Sequence, residues 1–195
     1  MGPKWNLEEE KERYLQLWEN RAHSGMTHTR AAWNDRAHKW LQEITDDNNI
    51  RKQRSEKRVQ KTADYLRSKG LLQKEDSVID IGCGLGRFVC EFAKTAGHAE
   101  GTDISDEMLK YGEEYARELG LSNTFFTVAD FKTFDVREAG WEKAFDLCFS
   151  SITPAVSTWE AVQKMESMSR KYCFSSNFVY AEEELADEVL KEVAP

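Results

Sequence analysis

Three glycines at alternate positions, Gly82, Gly84 and Gly86, follow a short apolar run and precede a helical pattern. Because glycine accepts positive φ and has no Cβ, such a loop lets the backbone approach a ligand closely. The helix that follows presents unpaired N–H groups. Asp80, at the end of the apolar run, can fix the loop or face a ligand amine. Asp103, 21 residues after Gly82, can accept both hydroxyls of a ribose.

The spacing of the glycines separates two classes of ligand. The dinucleotide fingerprint is G-x-G-x-x-G, and Arg87 stands where its third glycine belongs. A pyrophosphate needs the close approach of the helix that this glycine allows, whereas an adenosyl-amino acid does not. With Asp103 in register, the loop favours an adenosyl-amino acid over a nicotinamide dinucleotide, and over a turn that binds nothing.

Other reactive side chains give weaker signals. The four cysteines form no C-x-x-C pair, and the four histidines lack the clustered spacing of a zinc site, so we expect reduced thiols and no metal. The sequence identifies no catalytic residue. His23, His28 and His38 are candidates for a general base toward an acidic acceptor proton, although a lone surface histidine without a role is the commoner case.

Composition narrows the class of partner. The 195 residues carry a net charge of −8, which argues against duplex nucleic acid because phosphate binding needs a basic face. We therefore expect no nucleic acid as a partner. There is also no apolar run near the roughly 20 residues that cross a bilayer, so we expect no membrane contact and a soluble, cytoplasmic protein.

The elements that must position the loop follow from the periodicity. Residues 1–70 are helical in pattern, charged and rich in tryptophan, and we expect them to form a helical extension or lid. Residues 71–195 alternate apolar runs with helical stretches, which is typical of βαβ units on a mainly parallel sheet. We expect strands over 77–81, 99–102, 124–129, 145–150 and 172–176, and helices over 87–96, 106–119, 158–169 and 182–193.

Pro154 is the one proline inside the chain rather than near an end. It breaks the chain just after the fourth predicted strand, which places an irregular loop, 151–157, at the carboxyl end of a central strand. Ligand crevices of open α/β sheets form at such ends.

Taken together, these segments resemble the motifs of the class I S-adenosylmethionine-dependent methyltransferases, over residues 33–176. The glycine loop, from position 78 to 86, matches the first motif almost letter for letter, and 101–105 resembles the second, whose acid holds the ribose. The segment 106–109 resembles the helix start that flanks adenine. The segment 128–131 resembles the one whose acid caps the adenine amino group. The run 145–150 is similar to the fourth motif, beside the methionine moiety and the acceptor, and 33–37 resembles the W-x-x-R-A stretch of many small-molecule methyltransferases.

The resemblance implies a Rossmann-like three-layer αβα sandwich with S-adenosyl-L-methionine as cofactor. Carried onto the matching positions, it implies cofactor contacts from Trp33, Arg36, Asp80, Gly82, Cys83, Gly84, Gly86, Asp103, Ile104, Met108, Asp130, Phe131 and Ser150.

The family usually adds an antiparallel β-hairpin after the helix that follows the fifth strand, and this sequence stops at Pro195. Either the chain is trimmed, or we expect a fold without that hairpin. Its open sheet edge is available to a homodimer or hetero-complex, or to cover by a helix. The same feature leaves an alternative open, a non-catalytic partner subunit that acts through protein contacts.

The acceptor is less well defined. The family's reaction is a direct displacement that requires no protein nucleophile. The Asn/Asp-Pro-Pro-aromatic motif of enzymes that methylate exocyclic nitrogens is absent from 150–154, and so is a Pro-Cys nucleophile for pyrimidine carbon. We expect a small-molecule acceptor beneath the aromatic N-terminal helices, unless those aromatics only pack on the domain or on a second subunit. The basic run 51–61 is interpreted as a solvated helix face, with a landing site for an anionic substrate or RNA as the alternative.

Overall fold

The computed structural model of the chain describes residues 29–46 and 48–177, together with residues 9, 12, 13 and 16. The helix expected at 182–193 lies outside the described residues, as does the region where a final hairpin was in question.

A parallel sheet forms the centre of the molecule. In the described residues it has five strands: β1 (Ser77–Ile81), β2 (His98–Asp103), β3 (Thr124–Val128), β4 (Phe145–Ser151) and β5 (Ser169–Ser176). Their order is β3-β2-β1-β4-β5, and every neighbouring pair is parallel. The expected Rossmann-like α/β architecture is therefore confirmed. The strand order reverses between β1 and β4, which is where such sheets open a ligand crevice.

Within the described residues, five helices and one short 3₁₀ turn surround this sheet. They are α1 (Arg30–Thr45), α2 (Ile50–Ser68), α3 (Arg87–Ala93), α4 (Asp106–Glu118), the turn Pro154–Val156 and α5 (Trp159–Met168). The third helix ends three residues earlier than expected. Most of these helices begin with a side-chain cap; the hydroxyl of Ser105, for example, accepts the N–H of Met108 at 3.1 Å, as N-cap serines do.

The core has one apolar cluster on each face of the sheet. Phe88, Phe92 and Phe149 form the aromatic centre of one cluster, with ring centroids 4.7–5.6 Å apart. Val59, Ala63 and Leu66 of α2 are buried in the same cluster, so this helix belongs to the α/β core instead of lying loosely above it. The second cluster lies under α5.

Strand β2 is poor in strand-forming residues, and its packing explains why. A Cβ added at Gly101 would lie 2.7 Å from Cγ2 of Val89 and 2.8 Å from Sγ of Cys83. Only glycine lets the loop and α3 pack this closely on the strand. One polar residue of β2, Glu100, is bonded to the neighbouring strand β3, because its carboxylate accepts the hydroxyl of Thr127 at 2.8 Å.

Candidate functional site

A cavity of about 300 Å³ opens at the carboxyl ends of the central strands. Its walls are the glycine loop after β1, the ends of β2 and β3, the loop after β4, and one side of α1 and α2. This is the switch point of the sheet, so the fold itself places the loop and the two acidic strand ends around one space.

Each of the loop glycines has a positive φ: +71° at Gly82, +54° at Gly84 and +68° at Gly86. The N–H groups of Gly82 and Cys83 both donate to the carbonyl of Thr102, at 2.7 and 3.0 Å. The loop is therefore tied to the neighbouring strand β2 in a backbone conformation that favours glycine.

The three glycines have different neighbours. A Cβ at Gly82 would lie 2.1 Å from Oγ1 of Thr153, and one at Gly86 would lie 2.8 Å from the ring of Phe126. At Gly84 the nearest atom would be the ring of Trp40, at 3.9 Å. Gly82 and Gly86 are thus required by protein packing, whereas Gly84 leaves free space that a ligand can fill.

Asp103 stands at the end of β2 and faces the loop. Its carboxylate accepts the N–H of Gly84 and the N–H of Ser105, both at 2.9 Å. Burial raises the pKa of this carboxyl, and these backbone hydrogen bonds oppose the rise. Because each oxygen accepts only one of these bonds, both keep a lone pair for a ribose hydroxyl.

Asp80, at the end of β1, is 3% exposed. Burial, followed by the nearby Asp103 carboxylate, raises its pKa to about 8, while Arg58 acts in the opposite direction. At pH 7 the side chain is therefore mostly neutral, and a cation placed beside it would favour its ionised form.

Helix α1 brings a guanidinium and an aromatic pair to the site. Cζ of Arg36 lies 4.8 Å from the centroid of the Trp33 ring, and that ring meets Trp40 edge-on at 5.7 Å. The Nη1 atom of Arg36 is buried and has no hydrogen-bond partner among the described residues. A buried donor of this kind needs an acceptor, which a bound ligand or a water molecule can supply.

The structure brings most of the residues implied by the resemblance into one place. Those on the cavity wall are Trp33, Asp80, Gly82, Cys83, Gly84, Asp103, Ile104, Met108, Asp130 and Phe131. Gly86 lies behind the loop against Phe126, and Arg36 lies beside Trp33, off the wall. Their individual cofactor contacts stay predictions.

Ser150 is placed differently from its neighbour. It is 1% exposed, and its hydroxyl donates to that of Ser175 on β5 at 2.9 Å, so it lies between strands. Ser151, one residue further, lines the cavity instead, because successive strand residues point to opposite faces.

Of the three histidine candidates, the structure describes only His38, which lies away from the site. His38 is exposed on α1, 3.4 Å from the hydroxyl of Tyr111, and is not part of the cavity wall. His23 and His28 lie outside the described residues.

Sequence reasoning assigned no role to many cavity residues, among them Arg58, Ser151 and Thr153. Ser151 and Thr153 lie in the loop that Pro154 marks, whose position was expected but whose residues were not assigned roles. Arg58 belongs to the basic run interpreted as a solvated face. Its spacing of seven from Arg51, which also lines the cavity, was the signal that could have found it, since residues seven apart share a helix face.

Comparison with known proteins identifies the family. The model of the methyltransferase domain family matches residues 72–194. The chain belongs to that family.

Solved structures agree with this assignment at the level of the fold. A magnesium protoporphyrin IX methyltransferase from Synechocystis, crystallised with S-adenosylhomocysteine, superimposes with a TM-score of 0.63 at 19% identity over 84% of this chain and 75% of its own. A coclaurine N-methyltransferase gives 0.61 at 16% identity over 90% of this chain and 55% of its own. Together with the family match, they confirm the expected S-adenosylmethionine-dependent methyltransferase class.

The residues of the site fit this cofactor. The open space at Gly84 admits it, the Asp103 carboxylate suits its ribose hydroxyls, and Asp80 suits its ammonium group. The unpartnered Nη1 of Arg36 and the buried, equally unpartnered hydroxyl of Thr102 are, within the described chain, polar groups that such a ligand can satisfy.

One prediction is wrong: the expectation of a small-molecule substrate and no nucleic-acid partner. The curated relatives include 23S rRNA (uracil(1939)-C(5))-methyltransferases from Marinomonas posidonica, 38% identical over 58 residues, and from Xylella fastidiosa, 39% identical over 72 residues. The chain spans only 13% and 16% of their lengths, and they align with 30% and 36% of it. A second family model, "Rap1, DNA-binding", matches residues 5–69.

The physical reason for the error lies in the use of net charge. A total of −8 sums over the whole chain, whereas a nucleic acid meets one face. Helix α2 concentrates basic side chains near its start, and two of them, Arg51 and Arg58, stand at the cavity. Separately, no helix among the described residues is long and apolar enough to cross a membrane.

Proposed function

We propose that this chain transfers the methyl group of S-adenosylmethionine to a nitrogen or oxygen atom of a nucleotide in RNA. The observation that carries the proposal is the position of Arg58, which brings a guanidinium from the basic run of α2 to the cofactor cavity. The similarity of part of the chain to ribosomal RNA methyltransferases, and of residues 5–69 to a DNA-binding family, points to the same class of acceptor.

The cofactor supplies a methyl group on a sulfonium, and the chain's own residues bind and orient it. Asp103 holds the ribose, and Met108 with Phe131 encloses the adenine, both being at most 3% exposed. Asp80 and Arg36 receive the amino and carboxylate groups of the methionine moiety. The loop after β4 lines the same cavity and would be left free for the acceptor.

The acceptor then enters between that loop and α2. Ser151 and Thr153 offer hydroxyl groups on one side of this entrance, and Arg58 offers a guanidinium on the other. We propose that α1 and α2, which are the described helices of the expected extension 1–70, cover this entrance, with α2 anchored in the core by Val59 and Leu66. Nearly all of residues 1–28 lie outside the described part of the chain. Holding the two reactants in line can account for about 7–11 kcal/mol of barrier lowering.

The chemistry of the wall favours a nitrogen or oxygen acceptor over carbon. Carbon 5 of a neutral uracil attacks a methyl donor only after a nucleophile such as a thiolate has added to the ring. Among the described wall residues the cysteine is Cys83, and burial, followed by the nearby Asp80 and Asp103, raises the pKa of its thiol well above the usual range. It would stay protonated, so the acceptor atom must bring its own lone pair.

The test is a transfer assay with the full chain, tritium-labelled S-adenosylmethionine and total cellular RNA. We expect label in the RNA fraction that ribonuclease releases and deoxyribonuclease does not. Nucleoside digestion followed by mass spectrometry should then place the methyl group on nitrogen or oxygen. Asp103→Ala is the control, since it should lose cofactor binding and transfer together.

Two results would contradict the proposal. Label that appears in DNA or in the small-molecule fraction of a cell extract, and never in RNA, would reject the acceptor class. A 5-methyl pyrimidine as the product would reject the conclusion about the acceptor atom.

A further inference from the structure

Four cationic side chains line the described part of the cavity: Arg51, Arg58, Arg87 and Lys132. Two of them are already neutralised, because Arg51 pairs with Glu43 at 2.8 Å and Arg87 pairs with Glu56 at 3.2 Å. Arg58 and Lys132 have no ion pair with any residue that the structure describes. Charge at this mouth is therefore available to an anion from outside.

Arg58 is the better oriented of these two. Its Cζ lies 5.4 Å from the centroid of the Phe88 ring, and its Nη1 lies 3.4 Å from Oγ of Ser151. The next residue, Val59, is 6% exposed and fixes this part of α2 in the core. The guanidinium is thus held over an aromatic ring. Because this contact already restricts the side chain, binding a ligand costs it less conformational entropy.

The surroundings of Arg58 also favour the binding of an anion. Desolvation by the neighbouring protein lowers the pKa of Arg58, and Asp80 opposes this. Asp80 is itself mostly neutral at pH 7 because its pKa is raised to about 8. The Asp80 carboxyl therefore compensates the charge of the guanidinium only in part.

We propose that Arg58 binds a phosphate of the RNA strand at the nucleotide that receives the methyl group, with the hydroxyl of Ser151 as its partner donor. This inference rests on the proposed function. A guanidinium binds phosphate through two parallel N–H···O bonds, and Ser151 is the last residue of β4 and lines the cavity. Arg58 would thus fix the strand so that one base enters the cavity.

A competing role for Arg58 is to bind the carboxylate of the cofactor. Arg36 is better suited to that role, since its buried Nη1 has no partner in the described chain and it adjoins Trp33 on the cavity wall. Arg58 instead lies at the outer end of the cavity, with an exposed side chain, where a macromolecule can reach it.

The experiment compares Arg58→Gln with Lys57→Gln, a matched loss of one positive charge at the neighbouring exposed position of α2, which does not line the cavity. The probe is a short single-stranded RNA of mixed sequence, and binding is followed by fluorescence anisotropy between 50 and 200 mM salt. Cofactor affinity is measured separately by calorimetry with S-adenosylhomocysteine. Circular dichroism verifies that both exposed substitutions leave the fold intact.

We expect Arg58→Gln to weaken RNA binding about tenfold or more, and to reduce the slope of log K against log salt by about 0.7, the value for one contact to a single strand. Lys57→Gln should weaken binding by no more than about threefold. Arg58 lowers the pKa of Asp80, so cofactor affinity is measured well above the pKa of that carboxyl, where it should be unchanged in both variants. Arg58→Lys, which keeps the charge and loses the planar fork, should fall between wild type and Arg58→Gln.

Equal effects of Arg58→Gln and Lys57→Gln, or absence of RNA binding by the wild type, would overturn the assignment. So would a loss of cofactor affinity in Arg58→Gln at a pH where Asp80 is ionised in both proteins, because Arg58 would then contact the cofactor itself. If the wild type binds RNA through Arg58 and still transfers no methyl group to it, the proposed function fails while this binding site stands.

Discussion

The glycine loop allows a prediction in which two neighbouring glycines should fail in different ways. An alanine at either Gly82 or Gly84 meets a positive φ, +71° or +54°, and this costs roughly 1–2 kcal/mol for a residue with a Cβ. At Gly82 the new Cβ would also lie 2.1 Å from Oγ1 and 2.8 Å from Cβ of Thr153. Overpacking of this kind adds about 1–3 kcal/mol.

Gly82→Ala should therefore lose about 2–5 kcal/mol of unfolding free energy, and Gly84→Ala only about 1–2 kcal/mol. At about 2–4 °C per kcal/mol for a chain of this size, thermal unfolding without cofactor should separate the two variants. Calorimetry with S-adenosylhomocysteine should show how the two variants differ in ligand affinity. Gly84→Ala should weaken binding at least tenfold, because its Cβ enters open cavity space, and Gly84→Val should abolish it while the domain stays folded.

Thr153→Ala supplies the control, since it removes the two atoms that lie 2.1 and 3.2 Å from the new Cβ and leaves the one at 2.8 Å. In the Gly82→Ala background it should restore part of the lost stability, which a double-mutant cycle measures apart from its own cost. Equal destabilisation by the two alanines, or no coupling to Thr153, would refute the reasoning.

Three further changes test the electrostatics of the fold and site. Asp103→Ala should weaken the cofactor by about 2–4 kcal/mol, the value of two charge-assisted hydrogen bonds, and unchanged affinity in calorimetry would mean that the ribose lies elsewhere. Because the pKa of Asp80 is raised to about 8, cofactor affinity should increase as pH rises from 6 toward 8 with release of a proton. The unliganded protein should lose stability over pH 4–8, and Asp80→Asn should flatten both profiles in titrations at several pH values. A hydrogen bond from the Arg170 guanidinium keeps the pKa of Asp146 below its usual range, and the Ser77 N–H and Lys171 add smaller effects in the same direction. Stability from this group should thus be present above pH 4 and fall as pH drops below it, and Arg170→Met should cost about 1–2 kcal/mol at pH 7 with a shallower acid limb in urea titrations.

Much of the fold, and the identity of the cofactor, could be predicted from local sequence patterns. Parallel strands that are buried on both faces appear as apolar runs, so β1, β4 and most strand boundaries were readable. Helix α5 and the loop at Pro154 followed from periodicity and from a residue that cannot continue a strand. The polar strand β2 was inferred only from its place, because its sequence reflects tight packing at Gly101 and not strand propensity.

The sequence by itself determined the donor side of the reaction. The glycine loop and Asp103 lie within a short stretch of chain whose residues must fit the shape of one ligand. The sequence alone therefore predicts that ligand. The tertiary structure alone decided which residues line the other side of the cavity, where we propose that the acceptor enters. Thr153 against Gly82, and Arg58 beside Ser151, are contacts between segments about 70 and 90 residues apart. No pattern within one segment encodes such a distance, and a net charge summed over the chain hides the basic face that α2 presents at the cavity.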